Sequence, residues 1–263
     1  MQVETVAPDI STFIGDTDAS ASTVFVSNGD ALIVDAMGSA ADAESLRHYI
    51  EHDLGKRVRF VIATHYFSDH MAALRKFPDA TIVTHELYSH TFASEQHRSA
   101  EEEAFFVRPA TTFSDRLMMR WGRYTLNLFY NPGGSMSAAG IDVPEADLLF
   151  TANAIAGHVS YFVYSTPELV VNAIERLRRC GRGRILTGHG GPQDAVALDY
   201  ALAYVKELSE YAGRCFANNT QSRLSEAKVE DFLPRQVVAT DLDRRYHRRN
   251  LDYLMQNGQF LFA

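Results

Sequence analysis

Two histidines and an aspartate, His65, Asp69 and His70, stand close together in one short segment. They follow an almost wholly apolar run, residues 59–64, which is typical of a buried strand. Side chains at the end of such a strand sit on a rigid part of the fold and project from the edge of the sheet. Because imidazoles and carboxylates are natural ligands for zinc and iron, the pattern predicts a metal site.

Four other segments carry landmarks in a fixed order along the chain. An apolar run ends in Asp35, a Pro-Gly turn stands at residues 130–135, a Pro-Glu turn and a second apolar run span residues 143–153, and a Gly-His pair lies within residues 186–190. Together with residues 64–70, these segments resemble the signature segments of the metallo-β-lactamase superfamily. The resemblance covers about residues 10 to 200, and the helical tail beyond resembles a C-terminal extension of hydrolases in that superfamily.

The resemblance implies that one of the family's two metal sites has been lost. In the family, that metal is held by the first two histidines of the signature His-x-His-x-Asp-His and by a histidine in the Pro-Gly turn. Only His65 is kept, because Phe67 and Gly134 stand at the other two positions. Asn153 replaces the bridging aspartate, and the loss of its negative charge fits the loss of one cation. An apolar ring and a void in place of two imidazoles would suit a bulkier or more apolar substrate.

The same resemblance assigns the other metal to Asp69, His70 and His189, all of which are present. Two imidazoles and a carboxylate can hold one zinc ion with an open position for water, or one ferrous iron with several open positions. We therefore predict one divalent metal ion, zinc or iron. The alternative is that the three residues are remnants in a fold that no longer binds metal.

Further residues are predicted to serve this centre. His65 either binds the ion as a fourth ligand or stays beside the empty site as a proton-transfer group. Asp35 and Thr64 are expected to orient neighbouring ligand groups, with a simple turn residue as the alternative for Asp35. Asn153 would donate a hydrogen bond to a substrate carbonyl or anion, unless it is only a turn residue. The predicted pocket residues are Tyr66, Phe67, Gly134 and His158.

Other residues near these segments have plainer interpretations. His158 could rebuild a ligand set, but an ordinary surface histidine is the expectation for it and for His85, His90 and His97. Core packing is expected for the aromatic residues Tyr161, Phe162 and Tyr164, with a pocket wall as the alternative. The basic run at residues 244–249 is expected to form a solvated helix face. Cys180 and Cys215 are expected to be free thiols.

The predicted function is hydrolysis of a small ester, thioester or lactone. A divalent ion lowers the pKa of a bound water towards neutrality, which supplies a hydroxide nucleophile. Asp69, His65 and Asn153 are the residues expected to take part in catalysis. One alternative is a mononuclear non-haem iron oxygenase or other redox enzyme on the same fold. Another is a metal-free enzyme or a ligand-binding pseudoenzyme.

Local patterns predict the elements that must position these residues. Residues 22–27 and 31–35 are β-like runs joined by Asn28 and Gly29, a hairpin signature. Helices are predicted at about residues 41–52, 86–103 and 166–180 and along much of the chain after residue 194, and further strands at residues 80–84, 123–130, 139–143, 148–151 and 184–187.

With the resemblance, this order predicts an α/β fold, a four-layer αββα sandwich of two mixed β-sheets with helices outside. We expect one domain over residues 1–263, with a core at about residues 10–200 and a C-terminal helical extension at about residues 194–263.

Composition limits the partners and the compartment. The 263 residues carry a formal net charge of −8 and no long basic run, so we expect no nucleic-acid partner. No apolar stretch approaches the roughly 20 residues that span a bilayer, and the first residues show no secretory signal. These features predict a cytoplasmic protein with a small-molecule substrate and no membrane partner. The long helical tail could pair two subunits in a homodimer.

Overall fold

The first half of the chain forms a seven-stranded mixed sheet. In the computed structural model, which describes residues 1–94, 99–163 and 165–261, its strands lie side by side in chain order. They are β1 (Gln2–Ala7), β2 (Ile10–Ile14), β3 (Ala21–Ser27), β4 (Asp30–Val34), β5 (Arg57–Ile62), β6 (Thr81–His85) and β7 (Thr111–Phe113). Strands β1 to β4 pair antiparallel with their neighbours, and β4 to β7 pair parallel.

A second, six-stranded sheet follows. Its strands are β8 (Arg116–Trp121), β9 (Tyr124–Tyr130), β10 (Ala139–Val143), β11 (Leu148–Phe150), β12 (Arg184–Leu186) and β13 (Gln193–Asp194), in the spatial order β13-β12-β11-β10-β9-β8. Strands β11 and β12 pair parallel, and the other neighbours pair antiparallel. Both sheets are therefore mixed, as predicted.

Six α-helices connect and cover the sheets in the described parts of the chain. They are α1 (Ala40–His48), which continues as a π-helical turn (Tyr49–Asp53), α2 (Tyr88–Ser94), α3 (Ala100–Phe105), α4 (Pro167–Arg179), α5 (Val196–Ala217) and α6 (Asp241–Leu261). Helix α4 begins as predicted: the Thr166 side chain accepts a hydrogen bond from the Leu169 amide, and proline occupies the first turn. Gly181, just past its end, has a φ of 67°.

Three apolar clusters separate four layers. The first lies between the sheets and contains Phe25 and Leu32 from one sheet with Leu126 and Ile141 from the other. A second packs the outer face of the first sheet against α1 and the turns near β5. The third packs the second sheet against α4, α5 and α6. This is the predicted αββα sandwich with C-terminal helices.

The sequence patterns failed at the sheet edges and at β2, which lies next to an edge. Strands β1, β2, β7, β8 and β13 were not predicted. Along β8, exposed residues alternate with half-buried ones, so this edge strand has no deeply buried apolar run to mark it. The predicted β3–β4 hairpin is confirmed, with Ser27 opposite Asp30 and Asn28 at a φ of 53°. Cys180 and Cys215 are free thiols. No helix in the described parts of the chain is long and apolar enough to cross a membrane.

Candidate metal centre

The end of β5 holds the predicted ligand segment in place. Asp69 and His70 lie in a single 3-10 turn, Ser68–His70, which begins six residues after the strand ends at Ile62. The Ala36 amide donates to the His70 carbonyl at 2.9 Å, and the Ala139 amide donates to the Thr64 carbonyl at 2.9 Å. These hydrogen bonds connect the segment to the ends of both sheets, so the backbone that carries its side chains is held in place.

Three side chains of this segment form a candidate metal-binding group. His65, Asp69 and His70 each offer one ligand atom within 4.8 Å of the other two. His70 Nε2 lies 3.7 Å from Asp69 Oδ1, and the His65 and His70 ring centroids are 4.3 Å apart. Ligand atoms about 2.1 Å from one ion stand at most about 4.2 Å apart, so a small closure of the group would complete coordination.

Three of the four histidine nitrogens of this group are bare, that is, without a hydrogen-bond partner among the described residues. His65 and His70 are both 0% exposed, and His65 Nε2 and both nitrogens of His70 have no hydrogen-bond partner among the described residues. An unsatisfied buried polar group costs about 1–3 kcal/mol, so three in one cluster need an explanation. Two bare imidazoles beside a carboxylate are the donor set that zinc or iron prefers, and the residues present fit such an ion.

A series of hydrogen bonds from Asp35 through Thr64 orients the His65 ring. Asp35 accepts hydrogen bonds from the Thr64 amide at 2.8 Å and from the Thr64 hydroxyl at 2.8 and 2.9 Å. The same hydroxyl oxygen lies 2.8 Å from His65 Nδ1. When Asp35 is ionised, the hydroxyl hydrogen goes to Asp35, so Nδ1 of His65 carries a hydrogen and donates it to Thr64, which leaves Nε2 as a bare lone pair. Asp35 and Thr64 therefore orient the His65 ring, and their supporting role at a metal centre stays a prediction.

Burial sets the charges of the group. Burial, followed by the charges of His70 and His189, holds the pKa of His65 well below its ordinary value. Burial also lowers the pKa of His70 from 6.5 to about 4. Burial opposes ionisation of Asp69, but the neighbouring charges of His70 and His189 outweigh it and lower the pKa of that carboxyl. At neutral pH the site therefore presents two uncharged imidazoles and one carboxylate, the protonation states that bind metal.

His189 lies beside this group but is differently engaged. Its Nε2 is 3.3 Å from Asp69 Oδ2, yet the same nitrogen lies 2.6 Å from the Tyr246 hydroxyl. Its Nδ1 lies 2.9 Å from the Asp18 carbonyl oxygen. Because a carbonyl only accepts, Nδ1 carries the hydrogen and Nε2 accepts from Tyr246. The structure thus groups His65, rather than the predicted His189, with Asp69 and His70, and metal binding by His189 stays a prediction.

The position of the lost histidine ligand, Gly134, has no room for a side chain. A Cβ on Gly134 would lie 2.7 Å from the Tyr161 carbonyl oxygen and 2.8 Å from that of Asn153, so the expected void is absent. The Phe67 ring packs edge-on against His65, with centroids 5.2 Å apart. The side-chain amide of Asn153 is buried, and neither of its polar atoms has a hydrogen-bond partner among the described residues. This side of the site has no room for the imidazole found in the family.

Tyr66, His158 and His85 make contacts outside the group of candidate ligands. Tyr66 packs in the apolar layer outside the first sheet. His158 is half-buried and pairs with Asp243, with Nδ1 to Oδ2 at 2.9 Å, and this hydrogen bond raises its pKa. His85 was wrongly expected at the surface: it is buried, donates from Nε2 to the Ser114 carbonyl and stacks on Tyr130.

Burial tests three further expectations. His90 is exposed and Phe162 is in the core, as expected, while His97 and Tyr164 lie outside the described residues. Residues 244–249 do not form a wholly solvated face, because Tyr246 and His247 are 2% and 4% exposed. The prediction missed Tyr246 as a site residue. Asp243, Tyr246, His247 and Asn250 follow helical spacing and share one buried face, but a stripe of polar residues does not indicate burial in the sequence.

Comparisons with known proteins agree with this fold. A structure of a metallo-beta-lactamase from Pontibacter korlensis is similar, with a TM-score of 0.66, 17% identity and coverage of 78% of this chain and 98% of that one. A metallo-beta-lactamase from Erythrobacter litoralis gives a TM-score of 0.62 at 17% identity, covering 78% and 96%. The inverting sec-alkylsulfatase Pisa1 from Pseudomonas sp. gives a TM-score of 0.73 at 14% identity, covering 99% of this chain and 50% of that one.

At such low identities these structures show a shared fold. The coverage of 99% means that the similarity to the alkylsulfatase includes α6. No match was found among curated proteins. The sequence model of the metallo-beta-lactamase superfamily matches residues 15–189, which include all four candidate ligands. The chain belongs to the metallo-β-lactamase superfamily.

Proposed function

We propose that this protein is a hydrolase that uses one divalent metal ion to cleave a small ester, thioester or lactone. The observation that carries the proposal is the group of His65, Asp69 and His70, in which bare buried nitrogens surround a carboxylate. A single ion is proposed because the chain itself fills the space beside Gly134 where the family's other ligand would stand.

The residues around the ion divide the remaining tasks. A bound divalent ion would lower the pKa of a water molecule and polarise a carbonyl group. Asp69 binds the ion. Its side chain is 24% exposed, whereas that of His70 is 0% exposed, so a substrate would approach the ion from the side of Asp69. Asn153 would donate from its unsatisfied amide to the substrate oxygen that gains negative charge. The Ala152 carbonyl and the His70 ring both lie against Gly188, so Asn153 follows a residue that borders the site.

Hydrolysis of generic esters, thioesters and lactones with added zinc tests the proposal. An alkyl sulfate ester belongs in the panel, because the chain shares its fold with an alkylsulfatase over 99% of its length. Asp69→Ala should lower kcat/KM by about 100-fold or more, since it removes a ligand. The control is Asp53→Ala, which removes an exposed carboxylate on the first sheet's outer layer. Equal rates in wild type and Asp69→Ala would reject metal-assisted hydrolysis.

The ligand chemistry favours one second candidate. Two imidazoles and one carboxylate are also the ligand set of non-haem iron oxygenases. Anaerobic reconstitution with ferrous iron, followed by oxygen-consumption measurements with candidate substrates, separates this function from hydrolysis. Metal analysis of protein purified without chelators covers the remaining alternative, a metal-free protein. Less than about 0.1 equivalent of transition metal would reject both metal-dependent functions.

A further inference from the structure

Tyr246, which comes from the C-terminal helix α6, reaches into the metal centre. Its side chain is 2% exposed, and its hydroxyl lies 2.6 Å from His189 Nε2. The Tyr161 ring packs edge-on against it, with centroids 5.1 Å apart. The nitrogen that Tyr246 engages is the one that stands 3.3 Å from Asp69 Oδ2 and would otherwise face a metal ion.

The same helix fixes the opposite side of His189. His189 Nδ1 donates to the Asp18 carbonyl at 2.9 Å, and the Asp18 carboxylate pairs with Arg245 and Arg249 of α6. Asp18 and Ala19 both have a φ of 53°, a left-handed conformation that non-glycine residues adopt only when their surroundings impose it. The Arg249 guanidinium also lies over the Tyr246 ring, 5.1 Å from its centroid. Both nitrogens of His189 are therefore fixed through α6.

Buried polar contacts lock α6 in this position. The Asp243 carboxylate accepts hydrogen bonds from the His158 amide at 2.6 Å and from the Thr240 amide and hydroxyl, each at 2.8 Å. Two turns along the helix, Asn250 Nδ2 donates to the Ser160 carbonyl at 2.7 Å. Tyr246 lies between these anchors, so it cannot leave His189 without disturbing the helix.

We propose that Tyr246 holds His189 out of the metal coordination shell by donating its hydroxyl hydrogen to Nε2. Helix α6 then limits the ion to His65, Asp69 and His70 and keeps coordination positions open for water and substrate. Tyr246 acts as a positioning residue, because it works through His189. This inference rests on the metal site of the proposed function but not on the identity of the substrate.

Tyr246→Phe tests the inference by removing only the hydroxyl. With its donor gone, His189 Nε2 becomes a bare lone pair next to Asp69, so zinc should bind about tenfold more tightly. Competition with a chromophoric chelator measures the affinity, and the visible spectrum of the cobalt-loaded protein should change as a ligand is added. The matched control is Tyr253→Phe, on the same helix, where the lost hydroxyl contacts the Ser165 carbonyl; it should bind zinc like wild type.

A double-mutant cycle ties the effect to His189. In a His189→Ala background, Tyr246→Phe should no longer raise the zinc affinity. If Tyr246→Phe in the natural background leaves the affinity unchanged or lowers it, the inference is wrong. It is also wrong if the ferric form of the wild type shows a phenolate-to-iron absorption band that Tyr246→Phe abolishes, because Tyr246 would then be a ligand.

Nitrogen NMR of the wild type keeps the inference testable if Tyr246→Phe does not fold. In histidine-labelled protein, zinc should shift the Nε2 signal of His65 and a ring-nitrogen signal of His70 and leave that of His189 near its metal-free position. A metal-type shift at His189 would reject the inference and leave the proposed function standing. Failure of the wild type to bind any metal would reject both.

Discussion

His65 and His70, at the end of β5, keep bare nitrogens inside the protein, whereas His189, after the end of β12, has both ring nitrogens in hydrogen bonds. The three imidazoles are buried to the same degree, at 0, 0 and 2% exposure. What separates them is their hydrogen-bond partners: His65 Nε2 and both His70 nitrogens have none among the described residues, whereas Tyr246 and the Asp18 carbonyl engage both nitrogens of His189. Burial alone therefore does not distinguish the candidate ligands, and our proposal rests on the unpartnered nitrogens beside a carboxylate.

Removing the three histidines one at a time should give the largest differences in zinc affinity. His65→Ala and His70→Ala should each weaken zinc binding by more than about 100-fold, because each removes a ligand, whereas His189→Ala should weaken it by less than about tenfold. Chelator competition measures all three affinities, and circular dichroism checks that each variant is folded. The comparison fails if His189→Ala loses as much affinity as His65→Ala.

The bare nitrogens should also make the metal-free protein sensitive to acid. The pKa of His70 is lowered by burial from 6.5 to about 4. Between these values the unfolded chain binds a proton at His70 and the folded chain does not, so stability falls as pH drops from 6.5 towards 4, by about 3 kcal/mol. Urea unfolding of metal-free wild type and His70→Gln, followed across this range, isolates the effect.

The comparison with His70→Gln also removes the contribution of Asp35 to the pH dependence of stability, which has the opposite sign. Burial raises the pKa of Asp35 to about 7, so this carboxyl favours folding as pH falls through the same range. Asp35 is present in both proteins, and its contribution cancels in the difference. A difference in stability that stays constant between pH 6.5 and 4 would contradict the account.

A substitution of Gly134 tests whether the position of the lost histidine ligand has room for a side chain. Gly134→Ala places a Cβ 2.7 Å from the Tyr161 carbonyl oxygen and should destabilise the protein by about 1–3 kcal/mol. Gly29→Ala is the matched control, because a Cβ there has no neighbour within 4 Å. Thermal and urea unfolding measure both variants. Equal stability of the two would show that space exists beside Gly134 and would reopen the case for a second ion.

Thr64 offers the smallest expected effect. Thr64→Val keeps the shape of the side chain but breaks the chain from Asp35 to His65, so His65 loses the partner that fixes its tautomer. Zinc affinity should fall by about tenfold, at the lower end of the range for groups that orient a ligand. Thr84→Val, at a buried threonine on the neighbouring strand β6, should leave zinc affinity unchanged. Equal affinities in the two variants would remove Thr64 from the site.

Local signals in the sequence explain most of the correctly predicted elements. Asn28 and Gly29 marked a hairpin because they tolerate a tight turn, and Thr166 with Pro167 marked the start of α4. The apolar run before His65 placed the ligand segment at a strand end. The order of five signature segments then predicted the fold, since no single element could have distinguished it.

What the sequence did not show depends on contacts between distant residues. Tyr246 meets His189 across 57 positions, and no local pattern links the two. Gly134 was interpreted as a void because it lacks a side chain, but packing brought the Tyr161 backbone into that space. His85 was expected at the surface because a polar stretch follows it, yet it stacks on Tyr130 of the other sheet. Tertiary packing decided each of these cases.

Anomalous diffraction from crystals of the zinc-loaded protein tests the central claim most directly. The account predicts one zinc ion per chain, at about 2.0–2.2 Å from His65 Nε2, an Asp69 carboxylate oxygen and a His70 ring nitrogen, with His189 still bonded to Tyr246. Two ions, an ion bound by His189 in place of His65, or no anomalous peak on these residues would contradict it.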